Sequence, residues 1–175
     1  QMNDFIEKVI LRRASVRKYT GAPIAAEKLD ALVRAGFAAP SAVDVRPWAF
    51  VVVTERARLN ALAAGLPYAK MLERAGAAIV VCGVPEKDDS FARIHWVEDC
   101  SAATQNILLA ACAEGLGAVW TAVYPDEVRT AHVRKTLGLP VDIVPLNVVP
   151  IGVPDGEYPK AKDKYDPKAV HRENW

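Results

Sequence analysis

Arg12-Arg13-Ala14-Ser15-Val16-Arg17-Lys18-Tyr19, and after it Ala39-Pro40-Ser41-Ala42-Val43-Asp44-Val45-Arg46-Pro47-Trp48 running into Ala49-Phe50-Val51-Val52-Val53, is the stretch on which the reading of this chain turns. The first segment gathers cations around one hydroxyl. Arg13, Ser15 and Arg17 alternate, so in extended backbone all three face one way. Guanidinium forks beside a hydroxyl are the chemistry of a phosphate clamp. The same residues also suit a solvated basic turn at a helix end, where arginine is favourable anyway. The second segment sets two prolines around small residues. It reads as a rigid loop able to wall a flat aromatic ligand, and it leads into a strand.

Working outward, Phe5 to Leu11 shows helical periodicity through Phe5, Val9 and Ile10. Glu27 to Phe37 places Leu29, Leu32, Val33 and Phe37 on one helical face. Trp48 to Thr54 and Ala77 to Cys82 read as strands. Arg56 to Ala64, Tyr68 to Arg74 and Pro125 to Leu137 read as helices. Trp96 to Ala113 is the longest predicted helix and is apolar almost all round, so it needs cover on every side, from the core or from a partner chain. Gly115 and Gly117 are expected to stop it. Ala118 to Val123 reads as a third strand. Val144 to Val153 reads as a fourth, in which Pro145 and Pro150 argue against a long regular ladder. After Pro154 the composition turns polar and proline-rich, which predicts an extended tail. Helices mixed with single strands, without regular alternation, predict an α+β fold around a central, mostly antiparallel sheet flanked by helices, in one domain over residues 1–175.

Composition narrows the function. Hydrophobic residues make up 51% and charged residues 25% of 175 residues, which is the make-up of a globular chain with a real core. A net charge of +1 disfavours a nucleic acid or an acidic membrane as partner. Cys82, Cys100 and Cys112 have no metal-ligand spacing and sit in apolar runs, so they read as buried thiols. His95, His132 and His171 stand singly, and no metal site is predicted. The opening Gln1-Met2-Asn3-Asp4 carries no basic run of the kind that begins a secretory signal, and Ala102 to Ala122 is too polar for a membrane span. A reducing cytoplasm is the expected location. No Gly-x-Gly-x-x-Gly follows the first strand, and hydrolase and Walker motifs are absent.

These segments together resemble the nitroreductase family of flavin mononucleotide (FMN) enzymes over nearly the whole chain. The resemblance implies that Arg13, Ala14, Ser15 and Arg17 bind the FMN phosphate and ribityl chain. Lys160-Ala161-Lys162-Asp163-Lys164 is similar to the family's second phosphate-binding element, matched by Lys162 and Lys164, while Lys160 is equally at home in a charged tail. Pro40, Ser41 and Ala42 match a segment that approaches the flavin ring from the partner subunit. Asp44 and Arg46 stand where the family usually has Asn and Gln, a departure that invites a local Asp44–Arg46 ion pair. Lys70, in Tyr68-Ala69-Lys70-Met71-Leu72, matches a lysine that reaches the pyrimidine end of the ring, where a cation favours the anionic reduced flavin. Trp120 and Thr121, in Gly117-Ala118-Val119-Trp120-Thr121-Ala122, match a strand end near flavin N5, with Ala122 in place of the usual Gly.

The implied function is an FMN-dependent oxidoreductase that passes hydride from NADH or NADPH through flavin N5 to a nitroaromatic, quinone or similar acceptor, by a ping-pong mechanism. No side chain is required as catalyst, since the cofactor carries the chemistry. The implied assembly is a homodimer whose C-terminal tail wraps the partner subunit. A specialised flavoenzyme of the same fold acting on a bound metabolite, a non-catalytic FMN-binding module, and a dimer that has lost its cofactor are the alternatives. The short connection between Cys82 and Trp96 argues against a large substrate lid.

Overall fold

Five strands form one sheet in a computed structural model that describes residues 1–175. The strands are β1 (Trp48–Val53), β2 (Ala77–Gly83), β3 (Gly117–Ala118), β4 (Thr121–Ala122) and β5 (Val144–Gly152). The order is β1-β2-β5-β3, with β4 also paired to β5, and every pairing is antiparallel. Four helices cover it: α1 (Ala26–Phe37), α2 (Arg56–Gly65), α3 (Phe91–Ala113) and α4 (Glu127–Leu137). The α+β expectation holds.

Alternation along β2 explains the layers. Ile79 and Val81 join Leu29 and Leu32 of α1 and Cys100 and Ile107 of α3 in one core. Ala78, Val80 and Cys82 face the other way and meet Leu59 and Leu62 of α2 and Val133 of α4. A strand covered on both faces has no polar face, which is why Ala77 to Cys82 reads as an unbroken apolar run. Each fully buried Val, Leu or Ile here contributes about 1.5–3 kcal/mol relative to exposure. On α1, Leu29 and Leu32 are buried as expected, but Phe37 is exposed and lies edge-on to Phe50, ring centres 5.0 Å apart.

Several details differ from expectation. First, Pro145 and Pro150 sit inside a nine-residue central strand. The Ile151 carbonyl accepts from Gly76, so the backbone polar groups of residue 151 face the β2 side. By alternation the nitrogen of Pro150 faces the other edge, opposite the Val119–Trp120 break between β3 and β4. Pro145 lies at the register shift opposite Cys82. Neither missing N–H interrupts a regular ladder. Second, α3 begins at Phe91, five residues before Trp96, because Asp88 Oδ1 accepts from the amides of Ser90, Phe91 and Ala92. The connection to β2 is correspondingly short, residues 84–90. Third, Gly115, with φ of +72°, ends the α3 region, whereas Gly117 opens β3 and pairs with Gly152 of β5. The expected strand over Ala118 to Val123 is split at Val119–Trp120 into β3 and β4. The first helical segment is a single π-helical turn, Ile6–Ile10, and the turn expected over Tyr68 to Arg74 is a 3-10 turn, Lys70–Glu73. No helix is long and apolar enough to cross a membrane.

Candidate functional site

The segment from Arg13 to Tyr19 is docked on the sheet by a pair of side chains that need glycine beneath them. Val16 and Tyr19 are both 2% exposed. A Cβ on Gly117 would lie 2.6 Å from Val16 Cγ1, and one on Gly152 would lie 2.5 Å from Tyr19 Cγ. The cross-strand pair Gly117–Gly152 is therefore a flat patch of backbone on which this segment rests. The Val16 amide donates to Ala118 O at 3.0 Å, and the Tyr19 hydroxyl donates to Val16 O. With Val16 held inward, Ser15 and Arg17 on either side of it face outward.

The tail returns to the same segment. The Thr20 amide donates to Val153 O and the Asp155 amide to Lys18 O, each at 3.0 Å. Tyr158 then closes the join. The Ala14 amide donates to the Tyr158 hydroxyl at 3.1 Å, the hydroxyl donates to Ala14 O at 3.2 Å, and the Arg12 guanidinium lies 4.9 Å above the Tyr158 ring. Burial pushes the Tyr158 ionisation above the usual phenol range, so the hydroxyl keeps its proton at neutral pH.

Between these two strands of chain lies a recess of about 270 Å³, lined by Arg13, Ala14, Ser15, Arg17, Pro159, Lys160, Lys162 and Lys164. Its lining has cations from both ends of the chain, one side-chain hydroxyl, and no carboxylate. The recess thus brings the Arg13–Arg17 segment together with Lys162 and Lys164 within one chain. Lys160, equally readable as part of a solvated tail, joins them. The concentration of like charge has no internal counter-ion at this recess, so an anion would be favoured there electrostatically.

Arg17 also lines a second, larger cleft of about 500 Å³, beside Trp120 and Thr121 and with Tyr68, Met71, Val119, Ala122 and Arg129. Thr121 Oγ1 donates to Val148 O at 2.5 Å, which holds β4 against β5. Trp120, at the break between β3 and β4, is 37% exposed. Lys70 is exposed on the turn that carries Met71 but is not among the residues lining the cleft. The cation found there in addition to Arg17 is Arg129, whose guanidinium lies 5.0 Å above the Tyr68 ring.

Pro40, Ser41, Ala42 and Asp44 line neither space. Their loop is seated on α3, where the Ala42 amide donates to Asp99 Oδ1 at 3.1 Å. Asp99 is 6% exposed and its Oδ2 has no partner, so burial raises its pKa. The loop is strained. Val43, Asp44 and Arg46 have φ of +45°, +57° and +55°, and a β-branched residue there is a true outlier. Arg46 N–H to Ser41 Oγ at 2.9 Å and Lys87 Nζ to Arg46 O at 2.9 Å hold it. The Asp44–Arg46 ion pair forms, with Nη2 to Oδ2 at 2.8 Å. These contacts hold the positive-φ residues in place.

The cysteines and Trp48 go where their apolar neighbours go. Cys82, Cys100 and Cys112 are free and buried, and burial pushes the Cys82 thiol up to about 12. Trp48 is 6% exposed, in the core. Two site residues escaped the sequence reading. Tyr158 lies only two residues before Lys160, and an aromatic so close to the basic element was the available signal. Arg129 lies on α4, and nothing local in Glu127-Val128-Arg129-Thr130 points to the cleft.

The fold and this geometry define an α+β protein with a cationic recess opening at the rim of an antiparallel sheet. The sequence model of the Nitroreductase family matches residues 10–67 and 60–153. A crystal structure from Parabacteroides distasonis, provisionally named an NADH dehydrogenase/NAD(P)H nitroreductase, has a TM-score of 0.92 and 50% identity, covering 99% of this chain and 100% of its own. A Methanothermobacter thermautotrophicus protein with the same provisional name is 43% identical over 174 residues, 98% of this chain and 88% of its own. An FMN-dependent nitroreductase from Clostridium difficile has a TM-score of 0.85 and 32% identity, covering 99% of this chain and 100% of its own. This chain belongs to the nitroreductase family.

Proposed function

We propose that this oxidoreductase of the nitroreductase family holds one non-covalent FMN per chain and uses NADH or NADPH to reduce a small-molecule acceptor. The observation that carries the reading is the convergence of Arg13, Ser15 and Arg17 with Lys160, Lys162 and Lys164 on one recess free of carboxylates. That donor set fits a phosphate dianion. Arg17, shared by the recess and the larger cleft, is the point from which a phosphate in one and a ring in the other would be continuous. When bound, FMN supplies the hydride chemistry at N5 between NAD(P)H and a nitroaromatic, quinone or similar acceptor, in alternating ping-pong half-reactions.

The chain's own residues bind and orient. Arg13, Lys162 and Lys164 neutralise the phosphate, and Ser15 donates a directional hydrogen bond. Ala14 is held in place through both its backbone polar groups by Tyr158. Trp120 and Thr121 present strand-end backbone to the ring edge, with Met71 and Val119 supplying apolar wall. Lys70 is assigned the pyrimidine edge, next to Met71. Pro40, Ser41, Ala42 and Asp44 are assigned to the ring of the partner subunit, which accounts for their distance from the recess of their own chain.

A homodimer follows from this assignment, and the exposed apolar residues support it. Phe5, Leu11, Ile94 and Tyr165 are 53%, 55%, 69% and 74% exposed. The tail lies along its own chain through Tyr165, so wrapping of the partner is assigned to the residues beyond it, which are exposed through Trp175.

The test is an absorbance spectrum of the purified protein, identification of the released flavin, and anaerobic NAD(P)H oxidation with and without acceptor. A yellow protein that releases FMN and turns over with acceptor supports the reading. Extracted FAD, or refusal of FMN, sinks it. FMN binding without turnover selects a non-catalytic module.

A further inference from the structure

Arg129 gives the ring-side cleft a cation for which the phosphate recess has no use. Its side chain is half-buried and enters no ion pair with any carboxylate of the chain. It is held in place nonetheless. The guanidinium lies 5.0 Å above the Tyr68 ring, and Nη1 reaches Ala122 O at 3.4 Å. The nearby Asp126 carboxylate does not pair with it: its Oδ1 accepts from the Arg129 amide at 2.8 Å as the cap of α4. The guanidinium therefore keeps a free edge in a cleft whose lining contains no Asp or Glu. Beside it Tyr68, 72% exposed, offers a flat aromatic face.

We propose that Arg129, poised over Tyr68, is a specificity-determining residue that selects aromatic electron acceptors bearing a carboxylate. This rests on reading the cleft as the place of the flavin ring. A guanidinium presents paired donors that match a carboxylate bidentately, and a half-buried site strengthens that contact over one in water. Tyr68, exposed beside the guanidinium, provides the apolar surface that an aromatic body needs. The phosphates of a nicotinamide dinucleotide are separated from its reacting ring by a ribose. A cation in the ring-side lining is therefore matched to a substituent on the ring of the acceptor itself.

The experiment compares wild-type holoenzyme with Arg129→Ala and Arg129→Lys, using 4-nitrobenzoate and nitrobenzene as acceptors at fixed NAD(P)H. A second arm titrates benzoate into the oxidised holoenzyme and follows the flavin absorbance, which needs no turnover. For Arg129→Ala the ratio of kcat/KM for 4-nitrobenzoate to that for nitrobenzene should fall on the order of tenfold to hundredfold, with a matching loss of benzoate affinity. Arg129→Lys, which keeps the charge but not the fork, should lie between. An unchanged ratio overturns the proposal, as does a loss confined to the KM for NAD(P)H or a benzoate affinity that does not move. Protein that takes up no FMN, or that turns over neither acceptor, overturns the flavoenzyme reading and this inference with it.

Discussion

The hydroxyl of Tyr158 engages both backbone polar groups of Ala14, 144 residues earlier in the chain, at 3.1 and 3.2 Å. One phenol thereby sets the distance between the Arg13–Arg17 segment and the lysines of the tail. Tyr158→Phe keeps the ring under Arg12 but removes both bonds. Each is worth about 0.5–1.5 kcal/mol, so FMN affinity should drop on the order of tenfold. Riboflavin, which lacks the phosphate, should lose much less. Fluorescence titrations with both flavins test this, and equal losses would show that Tyr158 is not acting on the phosphate arm.

Arg13 and Lys70 are assigned different work. Arg13→Glu replaces a phosphate partner with a repelling charge, and FMN affinity should fall by more than the roughly tenfold to hundredfold expected for loss of one charge-assisted contact. Lys70 is exposed and outside the recess, so Lys70→Ala should leave oxidised FMN bound while lowering the flavin midpoint potential. FMN release by Lys70→Ala, with normal binding by Arg13→Glu, would reverse the two assignments.

Gly152 is the floor under Tyr19. Ala there puts a methyl 2.5 Å from Tyr19 Cγ, which the ring can relieve only by lifting off the sheet. Overpacking of this kind costs about 1–3 kcal/mol. In a domain of this size each kcal/mol lowers Tm by roughly 2–4 °C. Thermal unfolding of apoprotein reads the cost directly. An unchanged Tm would mean the docking of this segment on the glycine pair is wrong.

Acid should weaken the start of α3. The amides of Ala92, Phe91 and Ser90 all donate to Asp88 Oδ1, and these bonds hold its carboxyl below the usual carboxylate pKa. A depressed folded-state pKa contributes stability above the unfolded-state value and loses it as pH falls through the folded-state value. Asp88→Ala should thus be less stable than wild type at pH 7, with the gap closing in acid below the usual carboxylate range. Urea unfolding at pH 7 and in acid is the measurement, and a gap independent of pH would discount the carboxylate.

The exposed Phe5, Leu11, Ile94 and Tyr165 predict a dimer that persists at low concentration. An obligate interface buries above roughly 2,000 Å². Light scattering on the holoprotein should give twice the 19.0 kDa chain mass. A monomer that keeps its flavin would remove the case for a shared site.

What the sequence determined by itself was local chemistry and periodicity. The alternation of Arg13, Ser15 and Arg17, the apolar run of β2 and the polar tail could each be read within a few residues, because backbone geometry converts spacing into direction there. Pro150 shows the limit: its place in a central strand depends on the Val119–Trp120 break facing it, which lies some thirty residues away in the chain. The tertiary structure alone decided what meets what. It brought Lys160 into the recess and Arg129 rather than Lys70 into the cleft lining, and made Gly117 a docking floor instead of a helix stop. The reason is physical. A charge acts through distance in space, and a glycine matters through the side chain packed on it, and both are set by sheet register and by the return of the tail across the first segment.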